Sequence, residues 1–346
     1  MTQASYGVGP LVAVCTPVYN GGAFLAETIE AVQRQDYPNL VHVILDNAST
    51  DETAAVIAAH QARADLRHPI VAHKNETLLA LSENWSRVLD LAPADAAYVR
   101  FLCADDKMSP DAVSRAVALA ESDSAISVVG SIHEDSAGEW VGEGLPTDCE
   151  IFDGAAVARE TLERRHGAIS STHFLARADV ARAVSPVFRL PYIAFQDVEG
   201  SMRMLKGRKY GFIHAPLGWT RMHEASETSA GKKEERYLRD WLMLIERAGP
   251  AFLSEAELKA CLRGHVRQFH RRLLLWRFDG HPHAVVEANL AFLRERGLAP
   301  KLGDYAVAML EWMVLALTGR RDLAGAPQAL SRIGVPPAFK LHPARV

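Results

Sequence analysis

The chain reads as an α/β protein: a mainly parallel sheet with helices on both faces, followed by a helical C-terminal region. Two observations lead there. Over roughly the first 130 residues, short apolar runs alternate with segments of helical period. Those runs are apolar on both faces, as expected of parallel strands covered on two sides.

The elements follow in order. LVAVCTPVYN, residues 11–20, is a nearly all-apolar strand that ends in a turn. GGAFLAETIEAVQRQ, residues 21–35, carries Phe24, Leu25, Ile29 and Val32 at helical spacing. VHVILD is the second strand, and STDETAAVIAAHQA opens with Ser49 and Glu52 in a capping-box pattern. IVAH is the third strand, and LALSENWSRVLDLA the next helix. YVRFLC, residues 98–103, is the fourth strand, and DAVSRAVALAES a helix with Ser109 as its expected N-cap and Pro110 at its first position. AISVVGSI is the fifth strand. Residues 133–153, rich in Gly, Glu, Asp and Ser, read as a surface loop or a small β excursion. From Tyr237 onward the chain is helical, with a capping box at Ser254 and Glu257, and it thins into a tail after Pro327. The expected division is residues 1–230 for the α/β part and 231–346 for the helical region.

The 346 residues suffice for about two domains, and 49% hydrophobic with 23% charged residues is ordinary for a soluble globular protein. A net charge of -4 argues against nucleic acid as a general partner. Cys15, Cys103, Cys149 and Cys261 form no CxxC pair, which favours reduced thiols and a cytoplasmic location. The start, MTQASYGVGP, lacks a basic segment followed by an apolar one. YAVAMLEWMVLALTG is shorter than the ~20 residues of a bilayer span and contains Glu311, so it is expected to be a core helix. HVRQFHRRLLLWRF sets Val266, Phe269, Leu273 and Trp276 on one helical face. It reads as a packed amphipathic helix, with peripheral contact to an anionic membrane as the alternative. His281-Pro282-His283 reads as a turn.

Ligands of an open parallel sheet bind beyond the carboxyl ends of its strands. Thr16, Asp46 and the pair Asp105/Asp106 lie at such ends. TPVYNGG is neither a GxGxxG turn nor a phosphate loop, so phosphates would need neutralising another way. A divalent metal held by Asp105 and Asp106, bridging to a nucleotide diphosphate, would do so.

These residues also carry a resemblance. Pro17-Val18-Tyr19-Asn20, then Gln33-Arg34-Gln35-Asp36-Tyr37-Pro38, then Asp46-Asn47-Ala48-Ser49-Thr50-Asp51, with Asn84-Trp85 and Cys103-Ala104-Asp105-Asp106 downstream, resemble the signature of the family 2 inverting glycosyltransferases. The likeness is strong over about the first 130 residues and weaker to about Thr228. It implies a GT-A fold and transfer of a sugar from a nucleotide-diphosphate donor, a UDP-sugar foremost, to an acceptor hydroxyl of a glycan or lipid-linked acceptor in bacterial cell-surface polysaccharide assembly. By position it implies that Thr16, Pro17, Tyr19 and Asn84 belong to the nucleotide site. Asp46 would bind the base, and Asp105 would face the ribose or donor sugar. Asp106 would be the main ligand of Mn2+ or Mg2+, with His223 of Arg221-x-His223 contributing to the metal or diphosphate. FQDVEG stands where the family has a Glu-Asp motif, making Asp197 the catalytic base, with Glu199 as its rival. Two departures stand out: Cys103 occupies the first position of the family's Asp-x-Asp, and Asn47 replaces an acidic residue often beside Asp46. The alternatives are a non-catalytic sugar-nucleotide-binding protein and, lacking a basic triphosphate loop, a sugar-nucleotidyltransferase.

Overall fold

The structure is a computed structural model that describes residues 8–164, 167, 169, 173–224 and 226–317. It divides into two compact units. The first runs to Ala158 and adds Gly167–Tyr192 and Gln196–Met222; the second takes Arg159–His166, Ile193–Phe195 and the chain from His223. The tail after Pro327 lies outside the described residues.

The first unit opens with β1 (Val12–Val18), α1 (Leu25–Gln33), β2 (Leu40–Asp46), α2 (Thr53–Gln61), β3 (Ile70–Lys74), α3 (Leu81–Asp90) and β4 (Tyr98–Phe101). It continues through β5 (Lys107–Met108), α4 (Ala112–Ser122), β6 (Ile126–Asp135), β7 (Trp140–Val141), β8 (Ile151–Asp153) and the start of α5 (Gly154–Leu162), whose residues from Arg159 are counted in the second unit. β9 (Leu175–Arg177), α6 (Ala178–Ala183), α7 (Gln196–Leu205) and β10 (Lys209–Thr220) close it. The strands form one sheet in the order β3-β2-β1-β4-β9-β6-β10-β5, with β7 on β6 and β8 on β10. From β3 to β4 the pairing is parallel, and β10 runs parallel to β6. β9 lies between the two blocks, antiparallel to β4 and to β6.

Every residue of β1 and β2 is buried, which is why their sequences show no alternation. On one face of the sheet, Val12, Val14, Tyr98 and Leu102 pack with Val113 and Val117 of α4. On the other, Phe101 of β4 stands 4.9 Å from Trp85 of α3 and 5.0 Å from Phe188, ring centre to ring centre. Phe101 alternates with Tyr98 and Leu102, so one four-residue strand seals both layers.

Several expectations need correction. The capping box at Ser49 and Glu52 does not form. Asp51 accepts from the Thr53 backbone N–H at 3.0 Å, while the Ser49 hydroxyl accepts from the Asn20 N–H at 2.9 Å. Tertiary demand on Ser49 overrides the local pattern. Ser109 is not the cap of α4 either; Asp111 holds that position, and Ser109 Oγ donates to it at 2.7 Å. Lys107 and Met108 instead form β5, antiparallel to β10. Residues 133–153 contain two short strands, β7 and β8, the β excursion of the two readings. β9 has only three residues, too few for a period to be seen.

The second unit contains α8 (Glu227–Lys233), α9 (Tyr237–Phe252), α10 (Glu255–Phe278), α11 (His283–Glu295) and α12 (Leu302–Leu317). The Ser254–Glu257 capping box forms as expected. Phe269, Leu273 and Trp276 of α10 are buried against Val286, Leu290 and Leu293 of α11, which bears out the packed amphipathic reading. His281-Pro282-His283 is the turn into α11. The expectation of a core helix at residues 305–319 fails. In α12 only Ala308 is buried among the described side chains, while Leu310 is 62% and Leu317 84% exposed. Apolar composition shows that a helix seeks cover, not that the chain supplies it.

Phe101→Ala should lower unfolding free energy by about 3–5 kcal/mol, the range for emptying a buried aromatic site. Urea denaturation followed by tryptophan fluorescence would read this, and a loss under about 1 kcal/mol would mean that Phe101 does not anchor the two layers.

Candidate active site

The loops after β1, β2, β3 and β4 all emerge at the carboxyl edge of the parallel block, and side-chain hydrogen bonds tie them together. Asn20 adopts a φ of +49°, a left-handed turn that Asn tolerates. Its Oδ1 accepts from the Thr50 N–H at 2.9 Å. Gly21 N–H donates to Thr53 Oγ1 and Gly22 N–H to Asp51 Oδ2, at 3.0 and 2.9 Å. The first and second loops are thereby laced together.

Asn47, just past β2, uses both ends of its amide on the third loop. Its Nδ2 donates to Leu79 O, and its Oδ1 accepts from Leu79 N and from Asn75 Nδ2 at 2.8 Å. Asn75 Nδ2 also donates to Asn84 Oδ1 at 3.0 Å. Two residues before Asn84, Ser82 Oγ donates to Gln196 Oε1 at 2.6 Å. That bond brings the start of α7, and with it Asp197, into the same hydrogen-bonded edge.

Asp197 is 9% exposed and stands in the first turn of α7. Burial pushes its carboxyl up to about 6, partly offset by backbone N–H groups at the helix start. A carboxyl with that value exchanges protons near neutrality. Glu199 is more deeply buried, at 2%, and Arg189 Nη1 approaches it to 4.0 Å.

The acidic turn after β4 is rigidly built. Thr28 Oγ1 lies 2.8 Å from Ala104 O and 2.9 Å from Asp106 O and shares its proton between them. Asp106 is 3% exposed. Its Oδ1 accepts from the Arg221 N–H at 3.0 Å, and its Oδ2 lies 3.3 Å from His173 Nε2. A carboxylate only accepts, so this contact puts the imidazole proton on Nε2. That nitrogen also lies 3.1 Å from Thr220 Oγ1. Burial, then Arg100, push the His173 imidazole down to about 3, so it is neutral. Around the turn, Arg221 Nε donates to Asp105 O at 3.2 Å, and its Nη2 pairs with Glu27 at 2.9 Å. Lys107 pairs with Glu27 as well, at 3.2 Å, and its bond is the main reason the Glu27 carboxyl lies below the usual range.

Among the described residues, Cys103, Asp105 and Asp106 form the cluster able to hold a metal ion, with one donor atom of each within 4.8 Å of the others. Two carboxylate oxygens and a sulfur on one short turn fit a divalent cation that keeps its other positions for water or phosphate.

The other expected site residues fall in different places. Asp46 is buried at the tip of β2; Oδ1 accepts from Ser49 N–H at 2.8 Å and Oδ2 lies 3.5 Å from Lys74 Nζ. Asn84 is buried within the amide network. Tyr19 is half exposed in the first loop. Pro17 is buried in β1, and Thr16 is fully buried, its hydroxyl 2.9 Å from His42 Nε2. The geometry gives Thr16 a partner on the neighbouring strand, not an open pocket. His223 begins the second unit, partly exposed, with its carbonyl accepting from Ser226 N–H and Ser229 Oγ. His173 escaped the sequence reading altogether. It follows no motif, and only the antiparallel entry of β9 carries it to Asp106.

Residues 13–169 match the family model described as Glycosyl transferase family 2. The putative teichuronic acid biosynthesis glycosyltransferase TuaG of Bacillus subtilis is 31% identical over 106 residues, 31% of this chain and 40% of that protein. The putative glycosyltransferase EpsE of the same organism is 32% identical over 123 residues, 36% of this chain and 43% of that protein. The matches thus span less than half the length of these relatives. Among solved structures, TarS 1-349 of S. aureus in complex with UDP-GlcNAc superposes with a TM-score of 0.63 at 15% identity, covering 88% of this chain and 91% of that one. The mannosyltransferase PcManGT of Pyrobaculum calidifontis, in complex with GDP-Man and Mn2+, gives 0.55 at 16% identity, covering 93% and 87%. The structural likeness establishes a shared GT-A fold. The acidic turn at the carboxyl edge of the sheet falls within residues 13–169, the stretch that is similar to glycosyl transferase family 2.

Proposed function

We propose that this protein is an inverting glycosyltransferase that moves a sugar from a UDP-sugar to a hydroxyl of a glycan or lipid-linked acceptor in bacterial cell-surface polysaccharide assembly. The observation that carries the reading is the hydrogen-bonded edge that holds a metal-competent acidic turn and, through Ser82 and Gln196, a carboxyl tuned to about 6. Residues 1–230 form the catalytic part in this reading, and 231–346 the helical region. The bound ligand of TarS in the superposed structure supports a UDP-sugar, and the teichuronic acid biosynthesis in the name of TuaG supports the polysaccharide context. Free thiols at all four cysteines suit the cytoplasm.

Cys103, Asp105 and Asp106 would hold a divalent cation, whose charge would offset that of a leaving diphosphate. A sulfur donor matches a hard cation poorly, so Mn2+ is the better candidate and Mg2+ the second. Asp46, at the tip of β2, orients the nucleotide base, and Tyr19 of the exposed first loop lies against it. Asp197 takes the proton of the acceptor hydroxyl as that oxygen attacks the sugar. An acceptor hydroxyl is a poor nucleophile at neutral pH, and a base on the face opposite the diphosphate is what direct displacement requires.

Asp106→Ala should abolish the stabilisation that UDP with Mn2+ gives in a thermal-shift assay while the apo protein still unfolds cooperatively. A variant stabilised as strongly as wild type would remove Asp106 from the metal site.

Asp46→Ala should weaken UDP binding by ~1.5–3 kcal/mol in titration calorimetry, the worth of a hydrogen bond to a charged group. Asp46→Asn keeps an acceptor for the Ser49 N–H and so separates base recognition from loop support. Equal affinity in the alanine variant would make Asp46 structural.

Asp197→Asn should lower turnover by ~10²–10⁴-fold with UDP binding near wild type, and should erase the rise in turnover with pH through about 6. The same carboxyl gives a stability signature. Its folded value lies above its ordinary 3.8, so its favourable contribution is present below 3.8 and lost as pH rises through about 6. Above that pH the folded protein bears a buried charge, and Asp197→Asn should be the more stable at pH 8, by at most about 3 kcal/mol. Wild-type turnover in Asp197→Asn alongside an inactive Glu199→Gln would identify Glu199 as the base.

A further inference from the structure

We infer that the exposed face of α12 docks on an anionic phospholipid bilayer. The helix has 16 residues, about 24 Å at 1.5 Å per residue, less than the ~30 Å of a hydrocarbon core. No helix among the described residues is long and apolar enough to cross a membrane. One side of α12 is anchored to α10: Glu311 pairs with both Arg267 and Arg271, and Ala308 is buried. On the outer side, Val307 (45%), Leu310 (62%), Val314 (51%) and Leu317 (84%) recur every three or four residues. Met313 and Trp312 stand beside them, 48% and 41% exposed. Apolar side chains in such a contiguous row are rare on a surface that faces only water.

Charge identifies the occupant. Residues 255–346 hold 14 Lys and Arg against 8 Asp and Glu, a net +6, whereas the whole chain carries -4. The remaining 254 residues therefore carry -10, and the apolar face belongs to the basic part of an acidic protein. The cations also lie near it. Arg263 and Arg267 are exposed one turn apart on α10, and the Arg277 guanidinium stands 5.9 Å from the ring centre of Tyr305 on α12. The one carboxylate in the middle of α12, Glu311, is neutralised by two arginines. Apolar residues flanked by the exposed arginines Arg263 and Arg277 match a surface of acyl chains under anionic headgroups. A second copy would bring one net-positive helical segment against another, and a neutral protein partner would leave Arg263 and Arg277 unused. The surface is argued from the second unit alone and does not rest on the glycosyltransferase reading.

Flotation of the full chain with phosphatidylcholine vesicles, with and without phosphatidylglycerol, tests the proposal. The protein should float with the phosphatidylglycerol vesicles, less so as salt is raised. Leu310→Ser combined with Val314→Ser should lower the partition coefficient on the order of tenfold. Both side chains are exposed, so the folded state, checked by circular dichroism, should persist. Arg263→Glu should weaken binding to phosphatidylglycerol vesicles alone. Failure of the full chain to bind either vesicle, or undiminished binding by the double variant, would overturn the proposal. So would a dimer in sedimentation analysis that the double variant splits, since the face would then be a contact between copies.

Discussion

The site is organised around a carboxylate that has almost no access to water. Asp106 is 3% exposed, and an anion moved into a protein interior costs several kcal/mol unless donors replace its hydration. Among the described residues, the Arg221 N–H serves one oxygen and His173 the other. Each comes from a different strand. Arg221 follows β10, and His173 precedes β9, which lies antiparallel between β4 and β6. Solvating one carboxylate thus requires the second half of the sheet to be in register with the first. The neutral state of His173 fits this duty, because a neutral imidazole lends a donor without cancelling the charge that a cation would need.

A second consequence concerns how loops acquire rigidity. A loop anchored only at its ends samples many conformations, and ordering it costs about 1–2 kcal/mol per residue. At this edge the anchoring is done by short amides and hydroxyls: Asn20, Asn47, Ser49, Thr53, Asn75 and Asn84. None of these six carries net charge; Asp51, which accepts from the Gly22 N–H, is a charged member of the network. This bears on the departure at Asn47. An acidic residue there could not donate to Leu79 O as Asn47 Nδ2 does, so the substitution exchanges a charge for a brace between loops.

What was legible in the sequence follows from range. The parallel block from β1 to β4 and β6 could be read because each strand is a long apolar run bounded by turn residues, and Ser254 with Glu257 because both halves of that capping box are local. β9 and β5, with three and two residues, exist only through their neighbours. The same cause hid His173 and misassigned Ser49, whose hydroxyl is claimed by a residue 29 positions away. The acidic turn was marked by its place at a strand end, and Asp197 by motif likeness alone. Their physical states, one carboxylate held between two donors and the other raised by burial, depend on partners that no local pattern announces.

Those two states illustrate how one residue type serves opposite chemical ends. Asp106 sits where an Arg221 N–H and the His173 imidazole converge on its two oxygens. At Asp197, backbone N–H groups at the start of α7 offset part of the burial, and the carboxyl rises to about 6. A fully compensated Asp197 would be too weak a base to take a proton, and an uncompensated one would stay protonated at neutral pH. The helix start supplies an intermediate amount, because its N–H groups carry partial charge and α7 is fixed in place by Ser82 through Gln196 and by the Ser127 hydroxyl on Met204 O. Replacing Gln196 by the acidic residue of the family motif would put a second carboxylate beside Asp197 and raise its affinity for the proton further. The glutamine at this position therefore leaves the Asp197 carboxyl with a lower proton affinity than an acidic neighbour would.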